Sequence, residues 1–222
     1  PFIKARATLK KLDLVGKSSE RDRRPTLEEM NGIIEFAYKA RKSPYFREGY
    51  VPCDKLFVFQ MFSGRRISET CRMEWKDLDR KNKKILIRDM KDPSQKAGND
   101  VWVLIPDEAW DILITMPQKE GEPRIFPYDS KTVSTNFERF RAKAGFYTQN
   151  SDSNLRLHDL RHEAFSFLAE KNGLPGEHWD IPRIQLVSGH KGWNVLQRYV
   201  NLLENKPHDR WKDWKWKTQV FD

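Results

Sequence analysis

The apolar positions divide the chain into helical stretches, one pair of strands and polar connectors. In "PTLEEMNGIIEFAYKARKS", Ile33, Ile34 and Ala37 recur at helical spacing. Thr26 supplies a cap ahead of them, and Glu28 and Glu29 suit the positive N-terminus of a helix. "CDKLFVFQMFSG" is too apolar for a surface helix and belongs in the core; Gly64 follows it and "RRISETCRMEW" resumes as a second helix. The β-rich runs "KKILIRDM" and "VWVLIP" flank the polar "KDPSQKAGND", which predicts a hairpin with a long tip. Further helices are predicted at "DEAWDILITM", with Pro106 and Asp107 near its start, at "SKTVSTNFERFRAKAG", ended by Gly145, and at "RLHDLRHEAFSFLAEKNG", stopped by Gly173. Pro182 opens a short helix at "IPRIQLVSG". In "GHKGWNVLQRYV" and the residues after it, Val195, Tyr199 and Leu202 share one helical stripe, and Leu196, Val200 and Leu203 another. On that pattern alone Tyr199 is a core residue of an amphipathic helix. No internal repeat is present, and the fold class predicted is α+β, mostly helical with one small antiparallel sheet.

Composition adds a partner class. The chain has 222 residues, enough to bury a proper core in one or two domains. Its 41 Lys and Arg against 32 Asp and Glu give a net charge of +9. Such a surplus attracts polyanions, phosphate backbones above all. A membrane is the weaker reading, because there is neither a long apolar run nor a signal peptide. Cys53 and Cys71 make no disulfide framework and no CxxC pair, which suits a reducing cytoplasm. The first 25 residues are basic and polar without sustained periodicity and read as a linker. The tail "HDRWKDWKWKTQ" carries three tryptophans.

Several polar residues carry candidate chemistry. On a helix, His158 shares a face with Arg161 and with His162. Two histidines at that spacing can bind zinc, but no further ligands accompany them and no metal site is expected. In "SGRRISE", Arg66 stands at a helix start behind Gly64, where backbone N–H groups also meet anions, and Glu69 one turn on can orient it. Arg65 is expected to be exposed, within reach of a phosphate backbone. The hairpin tip supplies a lysine, either Lys91 or Lys96. Arginines, histidines, a lysine and a tyrosine are the types that phosphoryl transfer by a side-chain nucleophile needs. Arginine forks meet the charge of the transition state, a phenol attacks once it loses its proton, and a general acid protonates the leaving oxygen.

"SGRRISE", "HDLRH", and "SGH" followed by "QRY" resemble, in order, the signature of the tyrosine site-specific recombinases, the phage-integrase family. That signature pairs a (T/S)G-x-R-x-x-E box with an H-x-L-R-H box, an L-x-G-H and a tyrosine nine residues later. His190 and Tyr199 stand at that separation, and the resemblance spans about residues 26 to 203. It implies the recombinase catalytic-core fold and metal-independent DNA strand cleavage and rejoining through a 3′-phosphotyrosyl link, with no cofactor. By the same resemblance Arg66 and Arg161 clamp the scissile phosphate and Tyr199 attacks it. His158 is the general base or proton shuttle, and His190 hydrogen-bonds the phosphate. Lys91, which ends the first strand as the family's lysine does, is preferred over Lys96 as the acid for the 5′-oxygen. Glu69 supports Arg66, and His162 packs near the site. Three features depart from the pattern: Arg65 replaces an apolar residue, Ser188 a common leucine, and "NGLPGEHWDIPRI" is longer than usual.

The resemblance also implies partners and organisation: double-stranded DNA, a tetramer of the chain on DNA with a monomer free in solution, and accessory DNA-bending or directionality factors. A bacterial cytoplasm, with the protein on the nucleoid when DNA-bound, is the expected location. Residues 1–25 fit the basic linker that follows the family's helical DNA-binding domain, which this sequence lacks, so weak core-site binding and poor recombination are expected. Residues 26–203 form the catalytic domain. In the tail, 204–222, Trp211 and Trp214 either dock as a helical face on a neighbouring protomer or fold back on their own domain. Rival readings are a type IB topoisomerase-like strand transferase and a catalytically silent DNA-binding module.

Overall fold

The computed structural model describes residues 22–47, 50–90, 98–150, 152–190, 192, 196–197, 199 and 206–221. Helix α1 (Leu27–Arg41) opens on a capping box: the Thr26 hydroxyl accepts from the Glu29 N–H at 3.1 Å, and the Glu29 carboxylate accepts from the Thr26 N–H at 2.9 Å. Its Met30, Ile33, Ile34 and Ala37 face inward. Helix α2 (Cys53–Ser63) is buried at every position except Lys55. It is surrounded by α1, α4 (Asp107–Ile114), α5 (Ser130–Lys143) and α6 (Asp159–Lys171), which is why its sequence is apolar all round.

The sheet has three antiparallel strands in the order β1 (Leu78–Asp79), β2 (Lys84–Ile87), β3 (Val101–Leu104). Ile85 pairs with Val103 and Ile87 with Val101, so Ile85, Ile87 and Val103 are buried while Trp102, one residue out of phase, is exposed. The hairpin is the one expected; its tip, 91–97, lies outside the described residues. Strand β1 was not expected, since two residues are too few to show alternation. The helix expected through "RRISETCRMEW" is shorter: α3 covers only Ile67–Thr70. Beyond Cys71 the chain is drawn into pairing with residues 123–125, with the Ile125 N–H donating to Met73 O and the Trp75 N–H to Pro123 O. Helix α7 (Ile181–Ser188) has Asp180 as its cap and Pro182 in its first turn.

The described tail folds back on its own domain, the second of the two alternatives left by the sequence. It runs alongside α1 in the same direction. Arg210 donates to Pro25 O at 2.6 Å, Trp214 Nε1 donates to Asn31 at 2.7 Å, and Trp216, in the short α8 (Trp216–Gln219), stacks at 5.3 Å on Tyr38. Arg41 donates to Val220 O at 3.0 Å. Trp211, Trp214 and Trp216 are all buried. Arg24, at the end of the expected linker, also contacts the domain. It pairs with Glu163 and Glu170 on α6, and the fully buried Glu163 also accepts from Arg210 and from Trp211 Nε1. Cys53 and Cys71 are free and buried, and burial pushes their thiols up to about 12 and about 11.

Candidate active site

The site is built around the turn that ends α2. Gly64 takes the left-handed conformation, at φ 62°, and a Cβ there would lie 2.7 Å from Phe165. Only glycine allows the backbone to press this closely on α6. The contact lets the Gly64 carbonyl accept a hydrogen bond from Arg161 Nη1. Two residues on, Arg66 starts α3. Its N–H donates to Glu69 Oε2 at 3.2 Å and its Nη1 to Glu69 Oε1 at 2.7 Å, so one carboxylate holds both its backbone and its guanidinium. The Arg66 side chain is 24% exposed and faces outward from this anchor.

Arg65 differs from expectation. It is 1% exposed, with its guanidinium donating to Val187 O at the end of α7 and lying 3.9 Å from Glu69. The tight turn at Gly64 points Arg65 inward and Arg66 outward, which reverses the exposure expected for Arg65.

Arg161, on the first turn of α6, is 6% exposed. Besides Gly64 O, it reaches His190 Nε2 with Nη2 at 3.3 Å, and its guanidinium lies 5.0 Å from the Phe165 ring centre. With Arg161 as donor, His190 Nε2 is the acceptor, and the ring proton is on Nδ1. The loop carrying His190 leaves α7 through Gly189, at φ 72°, where a Cβ would lie 2.8 Å from the sulfur of Met90. His190 is therefore set against the base of the hairpin. There the Met90 N–H donates to Asn99 O at 2.8 Å, and Asn99 Nδ2 returns a bond to Met90 O at 2.8 Å. Lys91 follows Met90 directly in the sequence; Lys91 and Lys96 both lie outside the described residues. An open groove of about 850 Å³ runs from His190 past Trp102 and Leu186 to Arg183.

Tyr199 is 5% exposed, its ring packed 5.9 Å from that of Phe165. Its hydroxyl is 3.1 Å from His162 Nδ1. Leu196, on the same segment, is fully buried, as its apolar stripe requires. His158 stands at the N-terminal boundary of α6, without a side-chain capping bond, and its ring is 5.9 Å from that of His162. His162, read from the sequence as packing near the site, has Nδ1 within hydrogen-bond distance of the Tyr199 hydroxyl. A helix places residues 158 and 162 on one face but does not say which of them meets a partner 37 positions away.

Three guanidiniums, Arg65, Arg66 and Arg161, surround the single carboxylate of Glu69, a surplus of two positive charges in a largely enclosed space. Burial alone would raise the Glu69 pKa, but the three arginines hold it below the ordinary value. Burial and the neighbouring arginines lower Arg161 to about 9, which leaves it charged at neutral pH. Burial, then Arg161, Arg66 and Arg65, push His190 down to about 4. His158 is held below the usual histidine value by desolvation and by Arg161, His162 and Arg66. Among the described residues no group of three or more His, Cys, Asp or Glu side chains could hold a metal ion, and no helix is long and apolar enough to cross a membrane.

A pH dependence follows from His190. Its folded pKa lies below its unfolded value of about 6.5, so only the unfolded chain gains the proton as pH falls. Stability is expected to drop on acidification between about 6.5 and about 4. Urea midpoints should fall over that window, and less steeply in His190→Gln; an equal slope in the two proteins would contradict the assignment.

The model of the phage integrase family matches residues 26–206, and the chain belongs to that family. It is 28% identical over 185 residues to a shufflon-specific DNA recombinase of Escherichia coli, covering 83% of this chain and 41% of the relative. It is 25% identical over 143 residues to a putative integrase/recombinase of Haemophilus influenzae, covering 64% of this chain and 34% of that protein. The chain thus spans less than half the length of these curated relatives. Among solved structures, it resembles XerA recombinase with a TM-score of 0.55 at 18% identity, covering 90% of this chain and 70% of that one. It also resembles a lambda integrase tetramer bound to a Holliday junction, with a TM-score of 0.57 at 21% identity, covering 90% and 52%. These likenesses establish the tyrosine recombinase catalytic-domain fold, helical with a small antiparallel sheet, as the sequence predicted.

Proposed function

We propose that the chain is the strand-transfer domain of a site-specific DNA recombinase, cutting and rejoining DNA through Tyr199. The observation that carries the reading is the convergence of Arg66, Arg161, His190 and Tyr199 from four separate segments around an enclosed positive surplus. A phosphodiester supplies the negative charge that this surplus lacks, and its transition state gathers more on the non-bridging oxygens. Arg66, partly exposed and held by Glu69, and Arg161, held by Gly64 O, offer forks whose direction is set in advance. His190, neutral with its proton on Nδ1, turns Nε2 toward Arg161, and reorientation of either group on binding a phosphate exchanges that contact for one to the substrate.

In the reaction the Tyr199 oxygen bonds to phosphorus as the bond from phosphorus to the 5′-oxygen breaks. The phenol proton passes to a histidine. His162 already shares a hydrogen bond with that hydroxyl, while His158, beside it, can relay the proton onward. The leaving 5′-oxygen takes a proton from the hairpin lysine, for which Lys91 is preferred. The arginines carry the charge stabilisation that a divalent ion performs in other phosphoryl-transfer sites, so the proposed reaction needs no metal. The bond energy stays in the phosphotyrosyl link, and a 5′-hydroxyl reverses the step. Double-stranded DNA is the proposed substrate, bound by several copies of the chain together.

Incubation with a nicked suicide DNA substrate should trap a covalent protein–DNA complex and release a short fragment with a free 5′-hydroxyl. A wild-type chain that binds DNA but leaves no adduct would favour the silent binding module. Relaxation of supercoiled plasmid without joining of two sites would favour the topoisomerase-like reading. For the lysine, a 5′-bridging phosphorothiolate has a leaving group that needs no acid, so it should restore cleavage to Lys91→Ala. Restoration of Lys96→Ala instead would move the acid to Lys96.

A further inference from the structure

We propose that Arg65 is a positioning residue of the strand-transfer site, tying the loop that carries His190 to the turn that carries Arg66. The inference rests on the strand-transfer reading above. Arg65 is 1% exposed and so does not reach a phosphate itself. Its Nη2 donates to Val187 O at 2.5 Å, and its own N–H and Nε bond within the turn, to Ser63 Oγ at 3.3 Å and Ser63 O at 3.4 Å. Val187 lies three residues before His190. Between them the backbone is held by the Ser188 hydroxyl, which accepts from the His190 N–H at 3.3 Å, and by Gln185 Nε2, which donates to His190 O at 2.8 Å.

These contacts close a ring. Arg65 holds Val187, the Val187–His190 segment holds the imidazole, His190 meets Arg161, and Arg161 donates back to the carbonyl of Gly64, the residue bonded to Arg65. A closed ring fixes the distance between His190 and Arg66 from two sides. With Arg65 removed, only the Arg161 side of this ring still ties the loop to the Gly64 turn, and that is the contact an incoming phosphate would compete for.

Stability is a poor account of this residue. Burying a guanidinium costs solvation that an apolar side chain of similar volume does not incur. The cost is incompletely offset here, because Arg65 Nη1 has no hydrogen-bond partner among the described residues and is 3.9 Å from Glu69. The same guanidinium also adds to the field that Arg161 and Arg66 exert on His190, against Glu69 alone.

The test compares Arg65→Met and Arg65→Lys with wild type on the suicide substrate. Arg65→Met should stay folded, bind DNA within about threefold of wild type, and lose about 10²-fold in the rate of covalent-complex formation, since a small misplacement of a phosphate-binding group has that effect. Arg65→Lys keeps the charge and one donor but not the fork, and should lose about tenfold. On a His190→Gln background, Arg65→Met should add little, because the two act as one unit. In the DNA-free protein, the His190 ring resonances should shift and their titration move toward higher pH. Either Arg65 variant, folded and cleaving at the wild-type rate, overturns the proposal, and so does full multiplication of the Arg65 and His190 losses. If wild type forms no adduct, the strand-transfer reading fails instead. Unchanged His190 resonances in Arg65→Met would then still overturn the positioning role.

Discussion

Tyr199→Phe is expected to abolish covalent capture of a nicked suicide substrate while leaving the fold and DNA affinity nearly intact. The substitution removes one oxygen. The ring keeps its packing against Phe165, and the backbone segment that buries Leu196 is untouched. The structural loss is one hydrogen bond to His162, worth about 1 kcal/mol. The chemical loss is complete if Tyr199 is the nucleophile, since phenylalanine has no oxygen to form the proposed link. Gel-shift and melting measurements should therefore match wild type, while the denaturant-resistant adduct disappears. An adduct of normal yield from Tyr199→Phe would mean that the nucleophile lies elsewhere.

Arg161→Ala is expected to be the most damaging change that leaves the nucleophile in place. Arg161 is the hub where the Gly64 turn, the His190 loop and the Tyr199 neighbourhood meet. Loss of its fork should slow cleavage by roughly 10³-fold, the scale of removing a preorganised donor from a charged transition state. DNA binding should weaken only a few-fold, as one phosphate contact among several is lost. Its effect on stability is the more informative control. Removing Arg161 leaves the Gly64 carbonyl without that donor, but relieves repulsion among three guanidiniums around Glu69. The melting temperature is expected to change much less than the rate. Parallel losses in binding and cleavage would instead make Arg161 an ordinary anchoring residue.

How much of this was legible in the sequence differs from residue to residue. Helix α1 could be read because its cap, its acidic first turn and its apolar stripe agree. Arg66 and Glu69 could be paired because helical spacing fixes an i, i+3 contact before any tertiary structure exists. The family boxes named Arg161, His190 and Tyr199 as a set. Arg65 was misread because its direction depends on the left-handed turn at Gly64 and on the carbonyl of Val187, 122 positions away. The contact between His162 and Tyr199 was not legible for a related reason: Tyr199 comes from a distant segment, and helical spacing does not say which of His158 and His162 meets it. The short α3 was hidden because bridge pairing with residues 123–125, not local propensity, ends the helix, and β1 because two residues cannot show alternation.

The tail's path has a consequence for how the domain is made. The contacts that tie the described tail to α1 and to Pro25 just before it join residues 183 and 185 positions apart. Contacts of such span close slowly, because the chain loses the entropy of a long loop before the contact forms. A chain cut before Trp211 would keep every proposed catalytic residue but leave Tyr38 and Phe62 without Trp216 and Trp214, which pack against them in the folded domain. Such a truncated chain should therefore be sticky and prone to aggregation.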